Sequence, residues 1–417
     1  MKVCLINIPD TNSLDDRLDP PLGLMYLSSI LKQNNIDCEI LDLAFYTNWD
    51  SIIKNLAADL FGLTVYSASF NKALKINKLI RQHHPNAKIV WGGPHPTFCK
   101  DQVDNVDYIV LNEGERSFLT LCRFPNNNTK YLKSPLIKNL DDLPKPERDK
   151  NLFKYTRKVN GLPSTSIMTS RGCYSNCLFC GSRLFWHYPR KHSNSRIIEE
   201  LKEIKDLGYD AFHCWSDIFT LNHKTLYDLL KEIRKLNFYF RCNGDLRRDT
   251  KELLQELYKS GCREICYGIE SGDQRILDIV NKNSNVERNK LVIKWAKEAG
   301  ISVKIYLIVG SPGETWESVR KTIDFVKETK PDFYTIFNFV PMPGSPFYHN
   351  YEKYNIKFRT YDWDQFFNIG GQNIGGMVVD TEFMTAEEVS QARRMMLSEM
   401  PKQQGILQDY YKKLLGG

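Results

Sequence analysis

The chain has 417 residues, of which 42% are hydrophobic, 26% are charged and 12% are aromatic. This composition is typical of a globular protein, and it excludes a disordered chain, a collagen-like repeat and a small disulfide scaffold. The net charge of +7 at pH 7 is too weak an excess over this length to indicate nucleic-acid binding by itself. At roughly 150 residues per domain, the length predicts two or three domains.

Neither a membrane segment nor a secretory signal is predicted. No run approaches the ~20 apolar residues that a membrane-spanning helix needs, and the first residues lack the apolar core of a signal peptide. We therefore expect a cytoplasmic protein with no membrane association. Because that compartment is reducing, the 11 cysteines should be buried side chains or ligands rather than disulfides.

The first part of the chain alternates short β-rich runs with helical stretches. Strands are predicted over residues 2–8, 38–43, 60–65, 88–91 and 108–111. Continuous apolar strands separated by helices indicate a buried parallel sheet. We therefore predict a five-stranded, doubly wound, Rossmann-like α/β domain over residues 1–124, with its ligand over the carboxyl ends of the strands.

Residues 125–160 are polar and contain a run of three asparagines, so they are predicted to be an interdomain linker. The alternation resumes over residues 161–346 as six βα units, which predicts a partial (β/α)6 barrel. Residues 347–417 are predicted to be a C-terminal extension that is partly helical. Its aromatic side chains either line the substrate entry or pack against the barrel helices; they are Tyr361, Trp363, Phe366 and Phe367.

Three late-strand side chains are candidates to face the interior of this barrel. By alternation along the strands, Tyr306, Tyr334 and Asn338 could line a substrate cavity there. Residues at such positions also fill barrels without any ligand.

The cysteines include one group with ligand spacing, Cys173-x-x-x-Cys177-x-x-Cys180, which follows the first strand of the barrel series. Three thiolates this close can bind three irons of a cubane cluster and leave the fourth iron open. The alternative is a small zinc loop whose fourth ligand is His187 or His192. On spacing alone both interpretations remain open.

The context of these cysteines resembles the radical S-adenosylmethionine (radical SAM) superfamily, whose signature is Cys-x-x-x-Cys-x-aromatic-Cys. Here Phe179 supplies the aromatic residue. The resemblance implies that Cys173, Cys177 and Cys180 bind a 4Fe-4S cluster and that SAM chelates its open iron. It also implies reductive cleavage of SAM to a 5′-deoxyadenosyl radical, with electrons from an external one-electron reductant of the flavodoxin or ferredoxin type.

Further motifs at strand ends extend the resemblance along the barrel. Ser216-Asp217 stands where the family usually has a Gly-Gly-Glu-type segment that receives the SAM amino group, so Asp217 is the implied partner despite the departure. The resemblance also implies contacts with the SAM ribose and with its adenine and methionyl parts. Those residues are Glu270, Ser271, Gly310 and Pro312.

The first domain resembles the cobalamin-binding domain of many radical SAM enzymes. Glycines and small hydroxylic residues at strand ends leave room for a bulky nucleotide tail and offer backbone amides to its phosphate. The implied cobalamin contacts are Pro21, Gly23, Ser67, Ser69, Gly92, Gly93, Glu113 and Gly114. The alternatives are a domain that has lost its cofactor or binds another nucleotide.

Cobalt ligation by a histidine is not expected in this domain. The loop Pro9-Asp10-Thr11-Asn12-Ser13 lacks the Asp-x-His-x-x-Gly motif through which other cobalamin proteins ligate cobalt. His95 is the nearest candidate ligand, but two flanking prolines favour a packed loop residue instead.

The resemblance implies a cobalamin-dependent enzyme that methylates an unactivated carbon of a small molecule or peptide through the 5′-deoxyadenosyl radical and methylcobalamin. One alternative is oxidation, cyclisation or ring rearrangement without methyl transfer. Another is tRNA methylthiotransfer, which the tail disfavours because residues 347–417 carry no excess of positive charge. No nucleic-acid partner is therefore expected.

Overall fold

The structure, a computed structural model, describes residues 1–9, 15–125, 128–367 and 376–401. Most of the predicted loop from Pro9 to Ser13 lies outside these residues. Two parallel sheets organise the chain, one of six strands and one of seven. The predicted α/β class, with a Rossmann-like sheet followed by a partial barrel, is confirmed.

The first sheet has the strand order β2-β1-β3-β4-β5-β6 and is parallel throughout. Its strands are β1 (Lys2–Asn7), β2 (Asp37–Asp42), β3 (Leu60–Thr64), β4 (Lys88–Gly92), β5 (Tyr108–Val110) and β6 (Tyr131–Leu132). Five of the six were predicted. The sixth is a two-residue strand, and it falls within the predicted linker.

Helices cover both faces of this sheet, which explains why its strands are apolar throughout. They are α1 (Leu22–Gln33), α2 (Trp49–Lys54), α3 (Phe70–His83), α4 (Pro94–Phe98) and α5 (Glu115–Arg123). Alternate residues of β1 enter opposite cores: Cys4 and Ile6 pack on the α3 side, whereas Val3 and Leu5 pack with α1 and α5.

The predicted linker is built into the fold. It contributes β6 to the first sheet and β7 (Lys158–Val159) to the second. Between these strands, Ile137, Leu140 and Leu143 form a buried cluster with residues of α1. The connection therefore joins the two sheets through a small apolar core of its own.

The second sheet has the order β15-β14-β13-β12-β11-β8-β7, with six parallel strands and β7 antiparallel to β8 at its edge. The parallel strands are β8 (Leu162–Ile167), β11 (Ala211–Cys214), β12 (Tyr239–Asn243), β13 (Cys262–Glu270), β14 (Ser302–Val309) and β15 (Phe333–Asn338). The short strands β9 (Ser170–Arg171) and β10 (Arg190–Lys191) pair as an antiparallel ribbon. This ribbon flanks the cysteine loop and the helix α6 (Ser182–Trp186).

The outer face of this sheet packs against helices in the largest core of the described residues. These helices are α7 (Asn194–Asp206), α8 (His223–Lys235), α9 (Lys251–Lys259), α11 (Val286–Glu298) and α12 (Trp316–Thr329). The short helix α10 (Gln274–Ile279) instead places Ile276 in the core that contains α3. Tyr334 lies in this outer core at 3% exposure, so the prediction that it faces the barrel interior is wrong. Asn338 is also buried, at the end of β15.

The C-terminal extension contains α13 (Pro346–His349), β16 (Lys357–Phe358), β17 (Val379–Asp380) and α14 (Ala386–Glu399). Trp363 and Phe366 are buried, and Trp363 donates from Nε1 to Gln102 at 2.9 Å. These two aromatic side chains therefore pack on the first domain, whereas α14 packs in the outer core of the barrel, against α12 and β15. Tyr361 is 63% exposed. Within the described residues, no helix is both long and apolar enough to cross a bilayer.

Candidate functional site

A cavity of about 800 Å³ lies between the carboxyl ends of the first sheet and the barrel. One wall comes from the ends of β3, β4 and β5 and the start of α1. The other includes Gly181 and Ser182, which directly follow Cys180, and also Met168, Trp186 and Trp215. The cavity therefore joins the strand ends of the first domain to the cysteine loop.

Most of the residues predicted to contact cobalamin line this cavity. Those that do are Pro21, Gly23, Ser69, Gly92, Gly93, Glu113 and Gly114. Ser67 is different, because its hydroxyl lies 3.1 Å from Nδ1 of His95 and it is not part of the cavity wall. Small residues at strand ends thus predict which part of the chain forms the cavity wall. They do not predict the direction in which each side chain points.

Two glycines show why small residues are needed at this wall. Gly93 has φ +102°, and a Cβ there would lie 2.9 Å from the carbonyl oxygen of Val65. At Gly23 a Cβ would have no atom within 4 Å, so the start of α1 opens directly onto the cavity. This open, glycine-walled space suits the nucleotide part of a large cofactor.

His95 is a packed residue, as its flanking prolines predict. It is fully buried, and its ring packs 4.4 Å from that of Phe70 and 4.8 Å from that of Trp363. Burial lowers its pKa to about 4, so the ring is neutral at pH 7. It does not line the cavity, so cobalt ligation by His95 finds no support in this geometry.

The cysteine loop lies between β9 and α6, and its three thiols are partly exposed. The backbone amides of Ser175 and Ser182 donate to the sulfurs of Cys173 and Cys180 at 3.3 and 3.4 Å. Burial raises the pKa of Cys180 to about 12, so its thiolate form requires a nearby positive centre. Amide donors to sulfur and partly exposed thiols fit an iron–sulfur cluster.

The zinc alternative has less support in the structure. Across residues 1–9, 15–125, 128–367 and 376–401, no three His, Cys, Asp or Glu side chains converge on one metal-ion position. His192 is instead engaged by Asp141, 3.0 Å from its Nδ1. The loop suits a polynuclear centre, in which each thiolate binds a different iron.

Two cations beside the loop were not foreseen from the sequence. Lys282 forms an ion pair with Glu270 at 2.6 Å, and its Nζ lies 5.8 Å from the centre of the Phe179 ring. The charges of Glu270 and Cys177 raise the pKa of Lys282 against the effect of burial. Arg247 donates to the hydroxyl of Ser175 at 2.8 Å, which anchors the loop to the end of β12.

Asp217 also lies next to the loop. Ser182 donates to its carboxylate at 2.8 Å, so the residue after β11 is held against the first turn of α6. Surrounding protein atoms raise its pKa even though the side chain remains accessible. An accessible carboxylate beside the third cysteine fits the predicted partner of an amino group.

The other three residues predicted to contact SAM act in packing and turns. Ser271 is buried, and its hydroxyl lies 3.1 Å from that of Thr322. Gly310 has φ +88°, and a Cβ there would lie 2.5 Å from Val389 of α14. Pro312 is buried in the turn after β14. Only their backbone remains as a candidate contact for a ligand.

A buried ion-pair network joins the first domain to the β9–β10 ribbon beside the cavity. Arg171 on β9 contacts Glu113 at 2.8 Å and Glu115 at 2.6 Å, and Arg190 on β10 contacts Glu113 at 2.7 Å. Hydrogen bonds from both arginines and from the amide of Ile137 lower the pKa of Glu113. The carboxylate predicted to contact cobalamin is therefore committed to these two arginines.

Comparison with known proteins gives matches in both halves of the chain. Residues 167–326 match the model of the radical SAM superfamily, and residues 19–121 match that of the B12 binding domain. A protein of Pyrococcus horikoshii named "Uncharacterized methyltransferase PH0819" is 30% identical, and the alignment covers 94% of this chain and 91% of that protein. The cytidylyl-2-hydroxyethylphosphonate methyltransferase of Streptomyces wedmorensis is 26% identical, with coverage of 82% and 80%.

Solved structures share the fold at low identity. The cobalamin-dependent SAM radical enzyme OxsB, with aqua-cobalamin and SAM bound, has a TM-score of 0.77 at 17% identity and covers 95% of this chain and 66% of that one. The methyltransferase TsrM from Kitasatospora setae, with cobalamin and a 4Fe-4S cluster bound, has a TM-score of 0.72 at 16% identity, with coverage of 96% and 88%. The fold of this chain is therefore shared with two structures that contain bound cobalamin.

Proposed function

This chain belongs to the radical SAM superfamily and carries a B12-binding domain, and we propose that it is a cobalamin-dependent methyltransferase acting on an unactivated carbon of a small molecule or peptide. The observation that supports this most is the shared cavity. Its walls contain strand ends of the first domain and the two residues that follow Cys180. A methyl donor and a radical generator must both reach one substrate carbon, and a cavity bounded by both domains supports this arrangement.

In this proposal residues 1–124 form the cobalamin domain, 125–160 the linker, 161–346 the barrel and 347–417 the extension. Cys173, Cys177 and Cys180 hold the 4Fe-4S cluster, and Asp217, Glu270 and the backbone after β14 hold SAM. When bound, these cofactors supply a 5′-deoxyadenosyl radical and a methyl group. The protein's own residues bind, orient and shield them.

Individual side chains have separate tasks at the cluster end. The amides of Ser175 and Ser182 stabilise two thiolates, and Arg247 fixes the loop through Ser175. Ser182 orients Asp217 toward the space beside Cys180. Lys282 neutralises Glu270 and adds positive charge near Cys177.

The cobalamin end is formed mainly by backbone and small side chains. Gly23, Gly92, Gly93 and Gly114 leave space along the strand ends, and the amides that begin α5 are available there. Glu113 acts by holding Arg171 and Arg190, so its contribution to cobalamin binding is to fix this wall.

We also propose a cytoplasmic location and an external one-electron reductant of the flavodoxin or ferredoxin type. All 11 cysteines are free in the structure, as a reducing compartment requires. In this proposal the electrons that reduce the cluster come from that partner.

A second candidate keeps both cofactors but transfers no methyl group. The anaerobic magnesium-protoporphyrin IX monomethyl ester cyclase of Rubrivivax gelatinosus is 26% identical, and the alignment covers 81% of this chain and 69% of that protein. Product analysis distinguishes the two reactions. A methylated product with S-adenosylhomocysteine supports methyl transfer, whereas an oxidised or cyclised product without S-adenosylhomocysteine supports the second candidate.

The test is anaerobic reconstitution of the full chain, followed by counts of iron and cobalamin and by an assay of SAM cleavage under a strong reductant. We expect a four-iron cluster and a single cobalamin per chain. Cys177→Ala should lose iron and SAM cleavage, whereas Cys38→Ala, a buried cysteine of the first domain, should keep both. Zinc in place of iron, a chain without cobalamin, or unchanged cleavage in Cys177→Ala would each overturn the proposal.

A further inference from the structure

The inner face of the barrel is open and polar, unlike its outer face. Along β14, outward residues such as Ile305 and Leu307 are fully buried, whereas the inward Lys304 and Tyr306 are only half-buried. β12 alternates in the same way, with the inward Arg241 half-buried. The interior is therefore a lined space rather than a filled core, in contrast to a closed barrel.

The charges on this inner face do not balance. Three cations face it, namely Arg157, Arg241 and Lys304, and the two carboxylates beside them are each held by an arginine. Arg157 contacts Asp19 at 2.5 Å, and Arg241 contacts Glu264 at 3.1 Å. Lys304 forms no ion pair or hydrogen bond with any residue that the structure describes, and its Nζ instead lies 5.6 Å from the centre of the Tyr306 ring.

The neutral groups nearby do not compensate for Lys304. Burial lowers the pKa of His213 to about 4, so its ring carries no charge at pH 7. Burial and the repulsion of Arg241 and Arg157 lower the pKa of Lys304. A half-buried cation without a partner is costly, so the site has a place for an anion.

This place lies next to the interdomain cavity. Trp215 and Asp19 both line that cavity, and the Trp215 ring packs 4.7 Å from the ring of His213. His213 is paired in register with Arg241 on the next strand, and Cys266 on β13 is paired with Lys304. Lys304 lies five residues before the end of β14, which is about 16 Å from the rim at ~3.3 Å per residue.

We infer that the barrel interior binds an anionic group of the substrate, a carboxylate or a phosphoryl oxyanion, at Lys304 with Arg241 and Tyr306 beside it. Arg241 donates to the Tyr306 hydroxyl at 3.0 Å, which holds these two groups together beside Lys304. The inference rests on the proposed function and adds the chemical class of the substrate. That class is an elongated acid, whose reacting carbon lies near the cluster end and whose charged end reaches Lys304.

The test maps anion binding in the reconstituted holoenzyme by lysine acetylation. N-acetoxysuccinimide is added in the presence of adipate, inorganic phosphate or potassium chloride at equal ionic strength, and acetylation at each lysine is read by peptide mass spectrometry. At a saturating concentration of adipate or phosphate we expect about a tenfold fall in the acetylation rate of Lys304. Lys294, whose side chain is 70% exposed on α11, is the internal control and should not change.

The pattern of protection identifies the source of the anion. Protection by adipate alone indicates a carboxylate substrate, protection by phosphate alone indicates a phosphoryl substrate, and protection by both indicates a general oxyanion site. Arg241→Gln should weaken the protection, whereas Arg320→Gln on the exposed face of α12 should not. Equal labelling of Lys304 with either probe and with chloride would overturn the inference.

Iron and cobalamin counts on the same preparation separate this inference from the proposed function. A preparation with both cofactors but no protection at Lys304 contradicts only the anion site. A preparation without cofactors contradicts the proposed function, while the labelling still decides whether the interior binds an anion.

Discussion

Arg171 contacts Glu113 across the boundary between the first domain and the barrel, with 2.8 Å between Nη1 and Oε1. Both side chains are only 4% exposed. Arg171 lies two residues before Cys173, and Glu113 lies directly after β5 at the cavity wall. The residues that would bind cobalamin and those that would bind the cluster are thus joined by a buried ion pair, which fixes the position of one site relative to the other.

Loss of this pair should destabilise the whole chain. Arg171→Met removes the cation and leaves Glu115 without the 2.6 Å contact that it makes with Arg171. Breaking a buried ion pair by removing one partner costs about 3–5 kcal/mol. We expect a clearly lower urea midpoint for the cofactor-free chain and a lower cobalamin content after reconstitution.

A matched surface pair provides the control for this measurement. Arg116 contacts Asp142 at 3.7 Å, and both side chains are about half exposed. Arg116→Gln should change stability by less than about 1 kcal/mol. A midpoint for Arg171→Met that equals that of Arg116→Gln would show that the buried network does not hold the two domains together.

The sequence predicts the features that depend on local spacing. The cysteine motif needs only the interval from Cys173 to Cys180, and the parallel strands need only their continuous apolar runs. Gly93 was also identifiable as part of the cavity wall, because a glycine at a strand end leaves room for a ligand. These features could be predicted because the sequence pattern that marks each of them lies within a few residues.

Contacts between distant residues could not be predicted in this way. Glu113 and Arg171 are 58 residues apart, and nothing in either neighbourhood marks the other as its partner. Tyr334 was assigned to the wrong face because alternation shows which residues share a face of the strand but not which face points inward. Ile336 lies on the same face as Tyr334 and packs in the outer core. The strand at Tyr131–Leu132 was missed because two residues carry no periodic signal.

Lys282 should influence the reduction of the cluster. A positive charge near Cys177 favours the reduced and more negative cluster, so Lys282→Met should make its midpoint potential more negative. Lys282→Arg keeps the charge and should restore most of the shift. The measurement is a redox titration followed by electron paramagnetic resonance, with Lys294→Met as the surface control.

An unchanged midpoint potential would contradict a role of Lys282 in reduction. If Lys282→Met holds a full complement of iron and its midpoint potential equals that of the wild type, the cation acts only on Glu270. The 2.6 Å ion pair would then be a structural contact that holds the end of β13.

Gly23 tests whether the cavity holds cobalamin. A Cβ at this position meets open space, so Gly23→Ala should be tolerated and should stabilise α1 by about 0.5–1 kcal/mol. Gly23→Trp places a large ring into the cavity and should greatly reduce cobalamin content without changing iron content. Equal cobalamin content in the two variants, measured by absorbance after reconstitution, would place the cofactor elsewhere.

Glu314 should make stability depend on pH near neutrality. It is 2% exposed in the turn after β14, and burial raises its pKa to about 7 from 4.5. Because the folded pKa lies above the unfolded one, the stabilisation is fully present below pH 4.5 and is lost as the pH rises through about 7. The loss amounts to at most about 3 kcal/mol.

Glu314→Gln removes this titration while keeping an acceptor for the backbone amide of Gly310 and the hydroxyl of Ser318. We therefore expect the variant to be more stable than the wild type at pH 8, and the difference to vanish near pH 5. Urea midpoints at pH 5, 6, 7 and 8 test this, with Glu317→Gln as the control because its side chain is 78% exposed. Parallel pH profiles for the wild type and Glu314→Gln would mean that Glu314 is ionised in the folded chain throughout this range, and that the turn at Gly310 is held by a carboxylate rather than by a carboxylic acid.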